Sequence, residues 1–184
     1  MQKYSSFLTI LVLLFSLFAC QEDKAAKTKN VDPLLSENKT TTNFIKIPSD
    51  ESQITFNNII THDIATKFKL FDYDYFYNGS GVGVEDLNND GLKDILFCGN
   101  QVDNKLYINK GNLVFEDITE SANINVNKFW SSGVTFVDIN MDGWMDIYIS
   151  QGGPHQRSNR KNILLINQKD LTFKEAAAEY GLDD

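Results

Sequence analysis

The sequence predicts an all-β fold made of four-stranded antiparallel blades, amounting to an incomplete β-propeller of about two blades. Three observations carry that prediction. First, the chain repeats itself: "SGVGVEDLNNDGLKDILF" from Ser80 and "SGVTFVDINMDGWMDIYI" from Ser132 place glycine, acidic and apolar positions in register at an offset of 52 residues. Second, each copy holds four short apolar segments rich in Val, Ile, Phe and Tyr and bounded by turn residues, which read as strands. Third, four antiparallel strands recurring at a fixed period are the unit of a propeller, whose rings take roughly four to eight blades.

Taken in order, repeat 1 (about residues 80–124) offers "GVGVEDL", "DILFC", "KLYIN" and "FEDIT" as strands. Repeat 2 (about 132–182) offers "GVTFVDI", "MDIYIS", "NILLIN" and "LTFKEA". The later segments align at an offset of 58, "NKLYIN" on "NILLIN" and "FEDITESANI" on "FKEAAAEYGL". The extra residues fall in "SQGGPHQRSNRKN", a Gly/Pro/Ser/Asn-rich loop where an insertion between strands is tolerated. "EAAAEYGL" has the composition of one or two helical turns. The stretch from Phe44 to Tyr77, with "SQITFNN" and "FDYDYFYNG", is expected to contribute a strand or two, pairing with a blade beyond the chain end. Two blades do not close a ring, and "EYGLDD" ends where another repeat would begin, so the chain reads as a truncated propeller. Assembly from several chains is the alternative.

Ahead of the repeats lies a different kind of sequence. Lys3 supplies a positive charge, Phe7 to Phe18 is apolar, and the run ends "LFAC". It is too short to cross a bilayer core of ~30 Å as a helix, which needs about 20 residues. Residues 1–19 therefore read as an export signal, and the ending resembles the lipobox of bacterial lipoproteins. That resemblance puts the cut after Ala19 and a diacylglyceryl group on the Cys20 thiol; an ordinary signal with a chance cysteine is the other reading. Gln21, rather than Asp, follows the cysteine, which points to an exported lipoprotein at the outer membrane or cell surface, held to the membrane by its N-terminal lipid. Residues 20–43 carry many charges and no aromatic side chain, too little apolar surface to offset ordering entropy, and read as a flexible tether. The folded part is 44–184. With Cys20 acylated, Cys98 has no disulfide partner within the chain and reads as a small buried hydrophobe.

The formal charge of −8 comes without any cluster of Lys and Arg; the densest basic stretch, Arg157 to Lys161, is interrupted by Ser and Asn. A nucleic-acid partner is therefore not expected, since such binders carry a basic patch or stripe.

The acidity concentrates in two loops with one spacing, D-x-N-x-D-G-x-x-D. These are Asp86, Asn88, Asp90, Gly91 and Asp94, then Asp138, Asn140, Asp142, Gly143 and Asp146. Side-chain oxygens at positions 1, 3 and 5 turn inward when the backbone coils round one centre, and glycine at 6 permits the sharp turn. A backbone carbonyl at 7 (Leu92, Trp144) and the carboxylate at 9 would complete most of an oxygen cage. Hard oxygen donors in a flexible loop suit Ca²⁺ better than Mg²⁺, so about two Ca²⁺ sites are expected. Position 12 is Phe97 or Ile149, where an EF-hand needs a bidentate Glu, so the loops join strands. Three carboxylates per loop repel one another without a cation. The competing reading is a plain hairpin turn, for which Asn, Asp and Gly are the usual residues. It leaves Asp at both 1 and 9, twice over, unexplained.

At these residues the chain resembles the FG-GAP/VCBS repeat proteins, most closely the exported ones that carry a C-terminal ASPIC/UnbV domain. The resemblance runs from Ile54 to the end. It implies an integrin-α-like propeller with calcium in the loops between strands, and its ligand positions fall on the loop residues already named. The literal Phe-Gly and Gly-Ala-Pro signatures are absent, as is an ASPIC/UnbV segment. Some members carry names implying RNA binding, which the charge does not support here.

Catalytic signatures are scarce. His62 and His155 are the only histidines, and no His-rich cluster, nucleophile elbow or phosphate loop is present. The reading is a non-catalytic binding or scaffold module with a protein or glycan ligand. One alternative is a surface polysaccharide-active enzyme or its accessory domain, using acids among Asp63, Asp72, Asp74 and Glu85. The other is a purely structural propeller segment of a longer or multi-chain protein.

Overall fold

The computed structural model describes residues 44–61, 74–125, 130–154 and 160–184. The export signal, Cys20, the tether, both histidines, Asp63, Asp72 and Arg157 lie outside these. The chain divides between Ile45 and Lys46, and every element described below belongs to the part from Lys46 onward.

After a single helical turn, α1 (Ser49–Ser52), come two antiparallel meanders. The first is β1 (Val82–Glu85), β2 (Asp94–Phe97), β3 (Lys105–Asn109) and β4 (Phe115–Asp117); the second is β5 (Trp130–Val137), β6 (Asp146–Gly152), β7 (Ile163–Asn167) and β8 (Phe173–Glu175). Each meander forms its own four-stranded sheet in chain order. These are two blades of an incomplete propeller, as the repeat predicted. A last helical turn, α2 (Ala177–Tyr180), ends on Gly181 in the left-handed conformation, which matches the expectation for "EAAAEYGL". Between 44 and 61 the expected strand is not formed: residues 53–61 belong to neither sheet.

Register explains why the two blades stack. Residues paired across antiparallel strands share a face. In blade 1, Leu96 pairs with Leu106 and with Gly83. In blade 2, Phe136 pairs with Ile147 and Val134 with Ile149, and these two isoleucines pair with Leu165 and Ile163. The two apolar faces merge into one core, which holds Leu96, Cys98, Leu106 and Ile108 from blade 1 and Ile147, Ile149, Ile163, Leu165 and Phe173 from blade 2. Cys98 is buried there, and burial pushes its thiol up to about 12, which makes it an inert hydrophobe.

The innermost strands approach closely because they lack side chains at the seam. A Cβ on Gly83 would stand 2.6 Å from the Phe136 ring, and one on Gly81 would stand 2.8 Å from the Gly133 Cα. The second clash is with backbone, which cannot swing aside. Gly81→Ala is therefore expected to destabilise the fold by roughly 1–3 kcal/mol, the range for an overpacked core. A melting temperature unchanged from the parent would show that the seam is looser than this.

The other face of blade 1 is covered by the segment after α1. Phe56 stacks on Phe97 with centroids 4.9 Å apart, Thr55 donates its backbone N–H to the Tyr107 hydroxyl at 3.3 Å, and Asn58 and Asn100 bond each other. Residues 53–60 alternate between exposed and half-buried, which is strand-like burial without a strand ladder.

Candidate functional site

Both acidic loops lie between the first and second strands of their blades, and both fold the same way. Position 4 is left-handed in each, Asn89 at φ 57° and Met141 at φ 57°, and so is the glycine at position 6, at 86° in Gly91 and 84° in Gly143. Two left-handed residues separated by one coil the chain tightly enough for its amides to face the side chains before them. The glycine costs nothing there, whereas a side chain would be strained.

Position 1 organises each loop. The Asp86 carboxylate accepts the N–H of Asp90 at 3.2 Å on one oxygen and that of Gly91 at 2.8 Å on the other. Asp138 does the same for Asp142 and Gly143, at 2.9 Å each. Position 3 shares the first of those donors, since Asn88 Oδ1 accepts from Asp90 N–H at 3.0 Å and Asn140 Oδ1 from Asp142 N–H at 3.1 Å. Position 5 caps the amide at position 7: Asp90 takes Leu92 N–H at 2.7 Å, and Asp142 takes Trp144 N–H at 2.9 Å. The oxygens of positions 1, 3 and 5 thereby share the amides at positions 5, 6 and 7 of the same loop.

Position 9 behaves differently. Asp94 and Asp146 are the first residues of β2 and β6 and are both 0% exposed. Asp94 accepts from the Leu87 and Asn109 amides at 2.9 Å each; Asp146 accepts from Ile139 at 3.2 Å and Asn167 at 2.8 Å. Burial pushes both carboxyls above the ordinary aspartate value, against the downward pull of those amides and aided by repulsion from the other two aspartates of the same loop. Each position-9 carboxylate thus ties the loop's start to the end of the blade's third strand. Sequence reasoning overlooked the residues on the far side of that tie, Asn109 and Asn167. Their signal was present, because "KLYIN" and "ILLIN" place an asparagine at the same register in both repeats.

Among the described residues, no three His, Cys, Asp or Glu side chains are grouped so as to hold a metal ion. The reason is visible in the contacts just given. Each position-9 carboxylate is turned into the core, and polar donors meet position 5: the Asn88 amide donates to Asp90 at 2.9 Å, the Asn140 amide to Asp142 at 3.1 Å, and the Lys169 ammonium lies 3.2 Å from Asp142. The donor chemistry still suits a hard cation. All side-chain donors are oxygens, and an oxygen that accepts one N–H keeps a second lone pair. An ion held by Asp86, Asn88 and Asp90, or by Asp138, Asn140 and Asp142, would take the place of those amide and ammonium contacts.

Of the acids considered for a polysaccharide-active site, Asp63 and Asp72 lie outside the described residues. Asp74 is exposed. Glu85 is ion-paired with Lys93, and that bond, with a second one from the Asp86 amide, holds its carboxyl below the usual range. An acid kept ionised by a lysine is a poor proton donor at neutral pH.

Comparison with known proteins agrees with the architecture. Over 114 residues the chain is 32% identical to cartilage acidic protein 1 of Xenopus tropicalis; the match covers 61% of this chain and 17% of that protein, so the chain spans a small part of its relative's length. Residues 86–149 match the family model of the FG-GAP-like repeat. That stretch runs from the first aspartate of loop 1 to Ile149 on β6, past the last aspartate of loop 2.

Proposed function

We propose that the chain is a calcium-stabilised, membrane-anchored extracytoplasmic module that binds or scaffolds and performs no catalysis of its own. One observation carries the reading. Two loops 52 residues apart in sequence adopt the same backbone and the same hydrogen-bond net around oxygens at positions 1, 3 and 5. A simple turn would not need that net twice. Bound Ca²⁺ would neutralise carboxylates that otherwise repel, bringing the formal charge from −8 to −4, and so stiffen the rim of each blade. The anchoring part rests on the "LFAC" ending at Cys20; among the described residues no helix is long and apolar enough to cross a membrane. The partner fits a protein or glycan ligand met by the remaining loops, and nucleic acid is disfavoured by charge.

Calorimetric titration of the signal-free protein with CaCl₂ tests the metal. Two binding events are expected, with Asp90→Ala and Asp142→Ala each removing one. Absence of heat at millimolar Ca²⁺, together with a melting temperature indifferent to EDTA, would sink the reading.

A further inference from the structure

The two third-strand asparagines are equivalent by repeat, yet they spend their side-chain amides differently. Asn109 donates to the Lys93 carbonyl at 3.0 Å, within its own blade, and its Oδ1 accepts from Gly111 N–H at 2.9 Å. Asn167 makes the matching pair, donating to Met145 at 3.2 Å and accepting from Lys169 N–H at 2.9 Å. Its amide then makes a further bond that Asn109 lacks: it donates at 2.8 Å to the carbonyl of Leu87, position 2 of the other acidic loop, 80 residues away in sequence.

Leu87 is 1% exposed and Asn167 2%, so this bond is shielded from water. It lets Asn167 and Leu87 connect the bonds of the two position-9 carboxylates. Asp146 accepts the Asn167 backbone N–H, the Asn167 side-chain amide donates to the Leu87 carbonyl, the Leu87 backbone N–H donates to Asp94, and Asp94 accepts the Asn109 backbone N–H. A second tie joins the loop tips, where the Asn89 amide donates to the Gly143 carbonyl at 3.2 Å. The two position-9 carboxylates are therefore connected through the backbone and side chain of Asn167 and through residue Leu87, and in this path the Asn167 side chain makes the crossing between blades.

We infer that Asn167 is a positioning residue that couples the two acidic loops, so that filling either one with a divalent cation tightens the other. This rests on the calcium reading above. A loop must hold its position-2 peptide fixed to keep positions 1 and 3 on one centre; when one loop is ordered by an ion, the Asn167 bridge hands that order to the next and lowers the ordering cost of the second ion. Electrostatics pushes the opposite way, since the first ion removes negative potential from the second loop. That effect is weakened by solvent, because Asp90 is exposed and Asp86, Asp138 and Asp142 are only partly buried. The sign of the coupling therefore separates the bridge from charge alone.

The test is calorimetric titration with CaCl₂ in physiological salt. In the parent chain the second ion should bind more tightly than independent sites allow, by roughly fivefold, the lower end of ordinary coupling. Asn167→Ala should abolish that excess. In an Asp142→Ala background, where only loop 1 binds, Asn167→Ala should also weaken loop 1, although none of that loop's own donors has changed. Second binding weaker than or equal to the first in the parent, or a folded Asn167→Ala with unchanged cooperativity, overturns the inference. If the parent takes up no Ca²⁺, the calcium reading falls and the bridge is tested in the metal-free protein. There, hydrogen exchange at the amides of Asp90, Gly91 and Leu92 should accelerate selectively in Asn167→Ala, while amides of β2 and β3 keep their protection. Unchanged exchange at those three amides overturns the coupling. Should Asn167→Ala not fold, Asn89→Ala, at an exposed position, should reduce the cooperativity or speed the same amides, and failure to do either counts against the inference.

Discussion

Asp146→Ala is expected to lower the unfolding free energy by roughly 3–6 kcal/mol in metal-free buffer, because two buried donors lose a charged acceptor at about 1.5–3 kcal/mol each. The side chain is 0% exposed, so water cannot replace it. The orphaned groups would be the Ile139 and Asn167 amides, the first in the acidic loop and the second at the end of β7. Asp146→Asn keeps one carbonyl acceptor and should cost about half as much. The pH dependence separates acceptor loss from charge loss. Burial raises the folded-state value of this carboxyl above its unfolded value, so the folded protein holds its proton more tightly. Its contribution is then fully present below the unfolded value and is lost as pH rises through the raised folded one. In urea denaturation in EDTA, run from just below the ordinary aspartate range up to neutrality, the stability difference between the parent and Asp146→Asn should shift against the parent as pH rises. A loss under 1 kcal/mol for the alanine variant would mean that the two amides find other partners.

Phe173→Ala should cost roughly 3–5 kcal/mol, the usual range for deleting a buried phenylalanine, and should destabilise both blades together. Phe173 is 2% exposed and sits in the core shared by the two sheets, and its backbone N–H donates to the Ala122 carbonyl of the segment leaving blade 1. A side chain that serves one merged core cannot be removed from one blade alone. Hydrogen exchange should therefore rise in β2 and β3 as well as in β6 and β7. If blade 1 amides keep their protection while blade 2 opens, the blades are separate folding units.

Much of the fold was legible because it depends on local pattern. Short apolar segments with turn residues between them marked all eight strands, and "EAAAEYGL" marked the last helical turn. Boundaries moved where a partner strand extended the ladder: β5 begins at Trp130, ahead of the expected Gly133, because Trp130 and Ser131 pair with Gly152 and Gln151 across a bulge. The segment at 53–61 went the other way. A strand was expected there, yet its Thr55 and Thr61 amides are taken by side chains of blade 1, the Tyr107 hydroxyl and Gln101. Such bonds span 40 residues or more, beyond any local pattern.

The acidic loops divide along the same line. Spacing alone determined which residues form the two loops, because glycine at position 6 and oxygen-bearing side chains at 1, 3 and 5 act within a single turn of chain. Only the tertiary structure decided what the position-9 aspartates do. They are buried by the packing of two blades and satisfied by amides from another strand, Asn109 and Asn167. It also decided that the loops are joined, since the bond from Asn167 to Leu87 exists only once blade 2 lies against blade 1. A repeat in sequence specifies each blade; the contact between blades breaks their equivalence, because Asn167 meets a neighbouring loop and Asn109 bonds within its own blade.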